Sequence, residues 1–109
     1  MSEKKKAYLK RAYFNAKNTT PSYYVYIVQC LDDSYYTGFA SDLANRIVRH
    51  KNGIGSEYVK EKGFKKLVYF ESHSSEEQAK QREIYIKKAG KPYKKMLVTE
   101  FQKNMLLLQ

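Results

Sequence analysis

Along this chain the spacing of apolar residues changes repeatedly, and each change marks an element. Tyr23–Cys30 (YYVYIVQC) is a run of β-branched and aromatic residues and predicts a strand. Leu31-Asp32-Asp33-Ser34 has turn chemistry and Tyr35–Gly38 reads as a short return strand, so the two form an antiparallel hairpin. Leu43 and Ile47 then recur at helical spacing and predict a helix over Asp42–Lys51. Ser41 is its expected cap, Asp42 suits its positive end, and Asn52-Gly53 closes it. Asn52–Lys66 reads as a Gly- and Lys-containing loop holding Tyr58 and Phe64, followed by a third strand over Leu67–Glu71. Ser74 and Glu77 form a capping box that opens a long helix reaching Lys88, with Gly90 at its C′ position and Pro92 preventing continuation. Tyr93–Leu107 is the last predicted helix, which gives the order β-β-α-β-α-α.

Polar residues interrupt these patterns in informative places. Ala79, Glu83 and Ile86 fall at i, i+4 and i+7, the core-facing stripe of the long helix, with Glu83 in its middle. A carboxylate directed inward loses hydration and persists only beside a cation, a metal or hydrogen-bond donors. Arg46 and His50 are i, i+4 to each other and border the core side set by Leu43 and Ile47. Tyr26 and Tyr36 sit on the two hairpin strands and can share one face, while Gly38 invites close backbone approach by a ligand. Taken alone, Arg46, His50 and each of the two tyrosines are better explained by packing, a surface ion pair or a satisfied core-edge position. Together they outline a site.

Composition narrows the class of partner. The 109 residues suffice for one domain with a modest core, and carry 11 Tyr, 5 Phe and no Trp. Net charge is +10, which favours a polyanion, nucleic acid before an acidic membrane. Residues 1–20 hold half of that excess and read as a basic N-terminal extension ahead of a domain spanning 21–109. A single cysteine, Cys30, excludes an intramolecular disulfide and suits a reducing compartment. Two scattered histidines and one cysteine do not make a structural zinc site. No apolar run reaches membrane-spanning length and no secretory h-region is visible, so a cytoplasmic protein without a membrane partner is expected. No stable protein partner is predicted.

Read in order, Tyr24-Val25-Tyr26, Tyr36-Thr37-Gly38, Arg46 and Glu83 resemble the GIY-YIG nuclease family, in particular its small stand-alone bacterial single-domain members. The resemblance covers about Tyr23 to Met96. It implies an α+β fold: a small three-stranded, mostly antiparallel sheet flanked by helices. It further implies that Tyr26 and Tyr36 place hydroxyls near an attacking water, that Arg46 contacts the scissile phosphate, and that Glu83 is the sole protein ligand of one divalent ion, Mg2+ or Mn2+. His50 matches a site position held by Tyr or His, and Tyr58 aligns with a further such position. Phe39 departs from relatives that have a lysine after the glycine, and no asparagine closes the site.

The chemistry implied is phosphodiester hydrolysis of DNA by an endonuclease. Arg46 would donate two parallel hydrogen bonds to non-bridging oxygens, and His50, with a reference pKa near neutrality, would serve as base or relay. Gly38, Tyr58 and Lys60 are the expected substrate-binding residues, with Lys62, Lys65 and Lys66 lining the same groove. The alternative is a non-catalytic nucleic-acid-binding module that retains the fold. Binding alone needs positive charge and no inward carboxylate.

Overall fold

A computed structural model describes residues 22–107, so the expected N-terminal extension lies outside the described residues. The elements are β1 (Tyr23–Cys30), β2 (Tyr35–Ala40), α1 (Leu43–Lys51), α2 (Glu57–Lys62), β3 (Phe64–His73), α3 (Glu76–Ala89) and α4 (Lys91–Leu107). The three strands form one antiparallel sheet in the order β2-β1-β3. β1 is therefore central, which explains why its sequence is apolar on both faces.

Alternation along β1 divides the core into two layers. Tyr24, Tyr26, Val28 and Cys30 point to one face and pack with Leu43 and Ile47 of α1 and Val59 of α2. Val25 and Ile27 point to the other, against Ala79 and Ile86 of α3 and Leu97 and Val98 of α4. The pairing of Tyr26 with Gly38 and of Val28 with Tyr36 sets the hairpin register. Tyr26 and Tyr36 thus become diagonal neighbours on the α1 face.

Several boundaries differ from the sequence-based expectation. Asp42, in extended conformation, caps α1 by accepting from Asn45 N at 3.1 Å, in place of Ser41. Ser75 caps α3 through Gln78 N at 3.1 Å, and the neighbouring Ser74 bonds Gln78 Oε1. In both cases adjacent residues can cap, and their backbone geometry decides between them. The expected loop contains the six-residue helix α2, capped by Ser56 and burying only Val59, too short to show periodicity. β3 extends past Leu67–Glu71 at both ends because β1 pairs with it along its whole length. Pro92 lies in the first turn of α4, where a missing N–H costs nothing, and Gly90 separates α3 from it.

A polar clamp ties β3 to α3. Glu71 accepts from Tyr69 Oη, from His73 Nε2 and from Arg82 Nε at 3.0 Å. Burial by itself would raise the Glu71 pKa. The bonds from Tyr69, His73 and Arg82 outweigh it and hold the carboxyl below the usual range. Arg82 lies 5.6 Å from the ring centroids of both Tyr85 and Tyr93. Glu71→Ala strands three polar partners at once and is expected to lower unfolding stability by about 1–3 kcal/mol, read from urea unfolding at neutral pH. An unchanged midpoint would contradict the clamp.

Candidate active site

The site begins with a phenol that has no room to move. Tyr26 is fully buried, and its ring lies directly against the backbone of Gly38 across the hairpin. A Cβ on Gly38 would stand 2.5 Å from Tyr26 Oη. The close approach expected at Gly38 is therefore made by this ring rather than by a ligand. From α1, His50 meets the same hydroxyl, with Tyr26 Oη to His50 Nε2 at 2.7 Å.

His50 lies deeper than the margin expected for it, at 1% exposure, because Gly55 closes over its ring. A Cβ on Gly55 would stand 2.6 Å from His50 Nδ1, and that nitrogen has no hydrogen-bond partner among the described residues. Burial, reinforced by the nearby Arg46 charge, pushes the imidazole down to about 4. His50 is accordingly neutral at physiological pH.

The Tyr26 hydroxyl is held well above the usual tyrosine range, first by burial and then by Tyr36. Arg46 opposes the rise by charge and by a hydrogen bond, and Glu83 adds to it. Arg46 has no acceptor to offer, so it donates to the phenol oxygen. The phenol hydrogen is left for His50 Nε2. Beside half-buried Arg46 opens a polar hollow of about 320 Å³, bordered by Ser41, Asp42, Asn45, Arg49 and Gly55.

Tyr36 presents the accessible face of the group. Its ring centroid lies 6.5 Å from that of Tyr26 and 5.5 Å from that of His50. Tyr58 of α2 stacks on it at 6.1 Å and 24° while remaining 40% exposed. Lys62 Nζ hangs 6.0 Å over the Tyr58 ring and 3.8 Å from Asp32, and Lys65 pairs with Asp33 at 2.9 Å. Lys60 is exposed on α2, its stem beside Gly53. Of the lysines expected to line the groove, Lys62 is the one held against the Tyr58 ring.

Glu83 arrives from the opposite layer. Its stripe neighbours Ala79 and Ile86 are buried, but its own side chain keeps 19% exposure and lies at the rim, short of the interior position expected from the stripe. The i+4 residue supplies a partner, Lys87 Nζ at 3.5 Å, and that ammonium lies 5.9 Å above the Tyr36 ring. Among the described residues no three His, Cys, Asp or Glu side chains converge on one point. One carboxylate open to water suits a hard, oxygen-preferring ion that retains most of its hydration, such as Mg2+, and is a poor match for zinc.

Of the residues that sequence reasoning named, the structure brings Tyr26, Tyr36, Gly38, Arg46, His50 and Tyr58 together on the α1 face of the hairpin, with Glu83 near enough to act on the Tyr26 hydroxyl, while Lys60 stands apart beside Gly53. Sequence reasoning missed Gly55, for which no local signal existed, and Lys87, whose i+4 spacing from Glu83 was visible.

Comparison with known proteins supplies independent findings. Residues 22–96 match the family model described as the GIY-YIG catalytic domain. The chain is 45% identical to the UPF0213 protein CPE1444 of Clostridium perfringens, over 70% of this chain and 82% of that protein. It is 35% identical to the UPF0213 protein YazA of Bacillus subtilis, over 74% and 82%. Among solved structures it is similar to the solution NMR structure of the UPF0213 protein BH0048 from Bacillus halodurans. That match has 37% identity, covers 72% of this chain and 83% of the other, and has a TM-score of 0.47.

The depressed His50 pKa has a measurable consequence. Folded His50 stays neutral where the unfolded imidazole is protonated, so the unfolded chain binds more protons between pH 6.5 and about 4. The His50 contribution to stability is complete above pH 6.5 and declines on acidification through that window, at most about 1.4 kcal/mol per pH unit. Urea midpoints measured against pH should fall more steeply for wild type than for His50→Gln. Parallel profiles would contradict a neutral, buried imidazole.

Proposed function

The chain belongs to the GIY-YIG catalytic domain family, and from that premise we propose that it is a divalent-metal-dependent endonuclease hydrolysing DNA phosphodiester bonds. The observation that carries this reading is the grouping of Tyr36, Arg46 and the rim carboxylate Glu83 about the Tyr26 hydroxyl. A module that only bound DNA would need the positive charge but gain nothing from an anionic carboxylate in that group.

Each residue receives a role from its surroundings. Tyr36, half-buried and reachable, accepts a hydrogen bond from the attacking water and orients it toward phosphorus. Arg46 is held by the Tyr26 oxygen at the mouth of the polar hollow, and its remaining donors meet the non-bridging phosphate oxygens where charge accumulates. His50 is buried behind Tyr26 and weakly basic, so it acts as a positioning residue: it fixes the phenol, and the phenol fixes Arg46. Tyr58 offers a flat exposed ring on which a base can stack, with Lys62 over it for the backbone and Lys60 exposed on the same helix. Glu83 would hold a Mg2+ or Mn2+ ion, which when bound supplies Lewis-acid neutralisation of the phosphate charge. No sequence-reading element is evident in the described fold, so selection by DNA structure fits better than selection by sequence.

The 109-residue chain incubated with plasmid and branched duplex DNA in Mg2+ is expected to nick or cut the substrate. Glu83→Ala and Arg46→Ala should each lower the rate by about 10²–10³. Cleavage by Glu83→Ala at the wild-type rate would overturn the metal assignment, and absence of cleavage on every substrate would favour the binding-module alternative.

A further inference from the structure

The polar hollow beside Arg46 has more hydrogen-bond donors on its walls than one phosphate would use. Asp42, Asn45, Arg46 and Arg49 fall at i, i+3, i+4 and i+7, so one face of α1 and its cap line the hollow, with Ser41 and Gly55 bordering it. Its volume is about 320 Å³. Sites that hold small ligands begin at about 300 Å³, so the hollow has room for more than the group at its mouth.

Arg49 is the cation on these walls that the site chemistry leaves unused. It is exposed, yet its guanidinium is tethered: Nη2 donates to the Ile54 carbonyl at 3.5 Å, and the Ile54 amide donates to the Arg49 carbonyl at 2.9 Å. Both bonds tie Arg49 to the segment that leads into Gly55 on the wall of the hollow. The other N–H donors of the guanidinium remain for a ligand. The carboxylate that shares the hollow does not neutralise this charge. Asp42 Oδ1 accepts from Asn45 N at 3.1 Å, and among the described residues neither Arg46 nor Arg49 is ion-paired with a carboxylate. Two guanidiniums against one carboxylate leave a positive surplus, which an anion offsets.

We propose that the hollow is a subsite for the phosphate next to the scissile one on the same strand, with Arg49 as its ligand. This rests on the nuclease reading above, in which Arg46 holds the scissile phosphate. Residues three apart on a helix lie about 5–6 Å from each other at Cβ, a separation similar to that of successive phosphates along a strand. Arg46 and Arg49 can therefore take one phosphate each. A guanidinium suits the task, since its planar fork meets two non-bridging oxygens at once. The Ser41 hydroxyl and the Asn45 amide border the space left for the intervening sugar. A strand held at two consecutive phosphates cannot pivot about the first, which fixes the direction of the scissile bond relative to Tyr36. The consequence for substrate choice is a strand that continues past the scissile phosphate on the Arg49 side.

The test titrates the isotope-labelled 109-residue chain by NMR in EDTA, so that binding is read without cleavage. The probes are a dithymidine oligonucleotide with its single internal phosphodiester, and the same molecule carrying a second phosphate at one end or at the other. One of the two doubly charged probes is expected to bind several-fold more tightly than the parent. Arg49→Met should abolish that preference, and Arg49→Gln should do the same as a second variant, with the amide spectrum reporting that the fold is kept. Lys103→Met, exposed on α4, removes a charge outside the hollow and should leave the preference intact. A preference that survives in both Arg49 variants, or that the wild type lacks, would overturn the subsite even if the wild type cleaves DNA in Mg2+. Loss of the preference in Lys103→Met would also overturn it, because general charge would then be the cause. A wild type that shows the Arg49-dependent preference and cleaves no DNA would uphold the subsite and overturn the nuclease reading. Failure of every probe to bind the wild type would overturn the subsite.

Discussion

The hydrogen bond between Tyr26 Oη and His50 Nε2 is the constraint on which the candidate site depends. It joins the central strand to helix α1 within the core, and both partners are closed in by glycine, Tyr26 by Gly38 and His50 by Gly55. Buried polar groups of this kind are costly unless paired, and pairing in a low-dielectric interior makes their geometry stiff. The hydroxyl cannot leave His50 without losing that compensation, and neither ring can shift without meeting backbone. Arg46, Tyr36 and the mouth of the polar hollow inherit their positions from this arrangement.

Charge is arranged on the same plan, with neutral groups inside and ions at the rim. Burial keeps Tyr26 protonated and His50 uncharged, so this buried pair carries no charge at neutral pH. Arg46 lines the polar hollow, and Glu83 and Lys87 keep part of their side chains exposed to solvent or a ligand. This division lets a small core tolerate a polar centre. The Glu71 clamp uses another solution on the opposite layer, where three donors satisfy one half-buried carboxylate and fix the helix that carries Glu83.

Much of this was legible in the sequence, for identifiable reasons. The unbroken apolar run of β1 and the turn after it specify a hairpin, and two tyrosines ten residues apart then fall on one face once the register pairs Tyr26 with Gly38. The i, i+4 spacing of Arg46 and His50 placed both on the core side of α1, although only the fold could say how deep His50 goes, since that depth depends on Gly55 five residues beyond it. The stripe through Ala79 and Ile86 identified Glu83 but overstated its burial, because helical periodicity gives direction and not the distance to solvent. Helix α2 was missed because one buried residue in six produces no period. The role of Gly38 was inverted: the glycine makes room for a side chain of the protein itself.

The most direct test is a crystal structure of the full chain with Mn2+ and a DNA oligonucleotide carrying a non-hydrolysable linkage. The account predicts one anomalous manganese peak at the Glu83 carboxylate, with a backbone phosphate between that ion and the Arg46 guanidinium. No ion at Glu83, or a phosphate path that avoids Arg46, would contradict it.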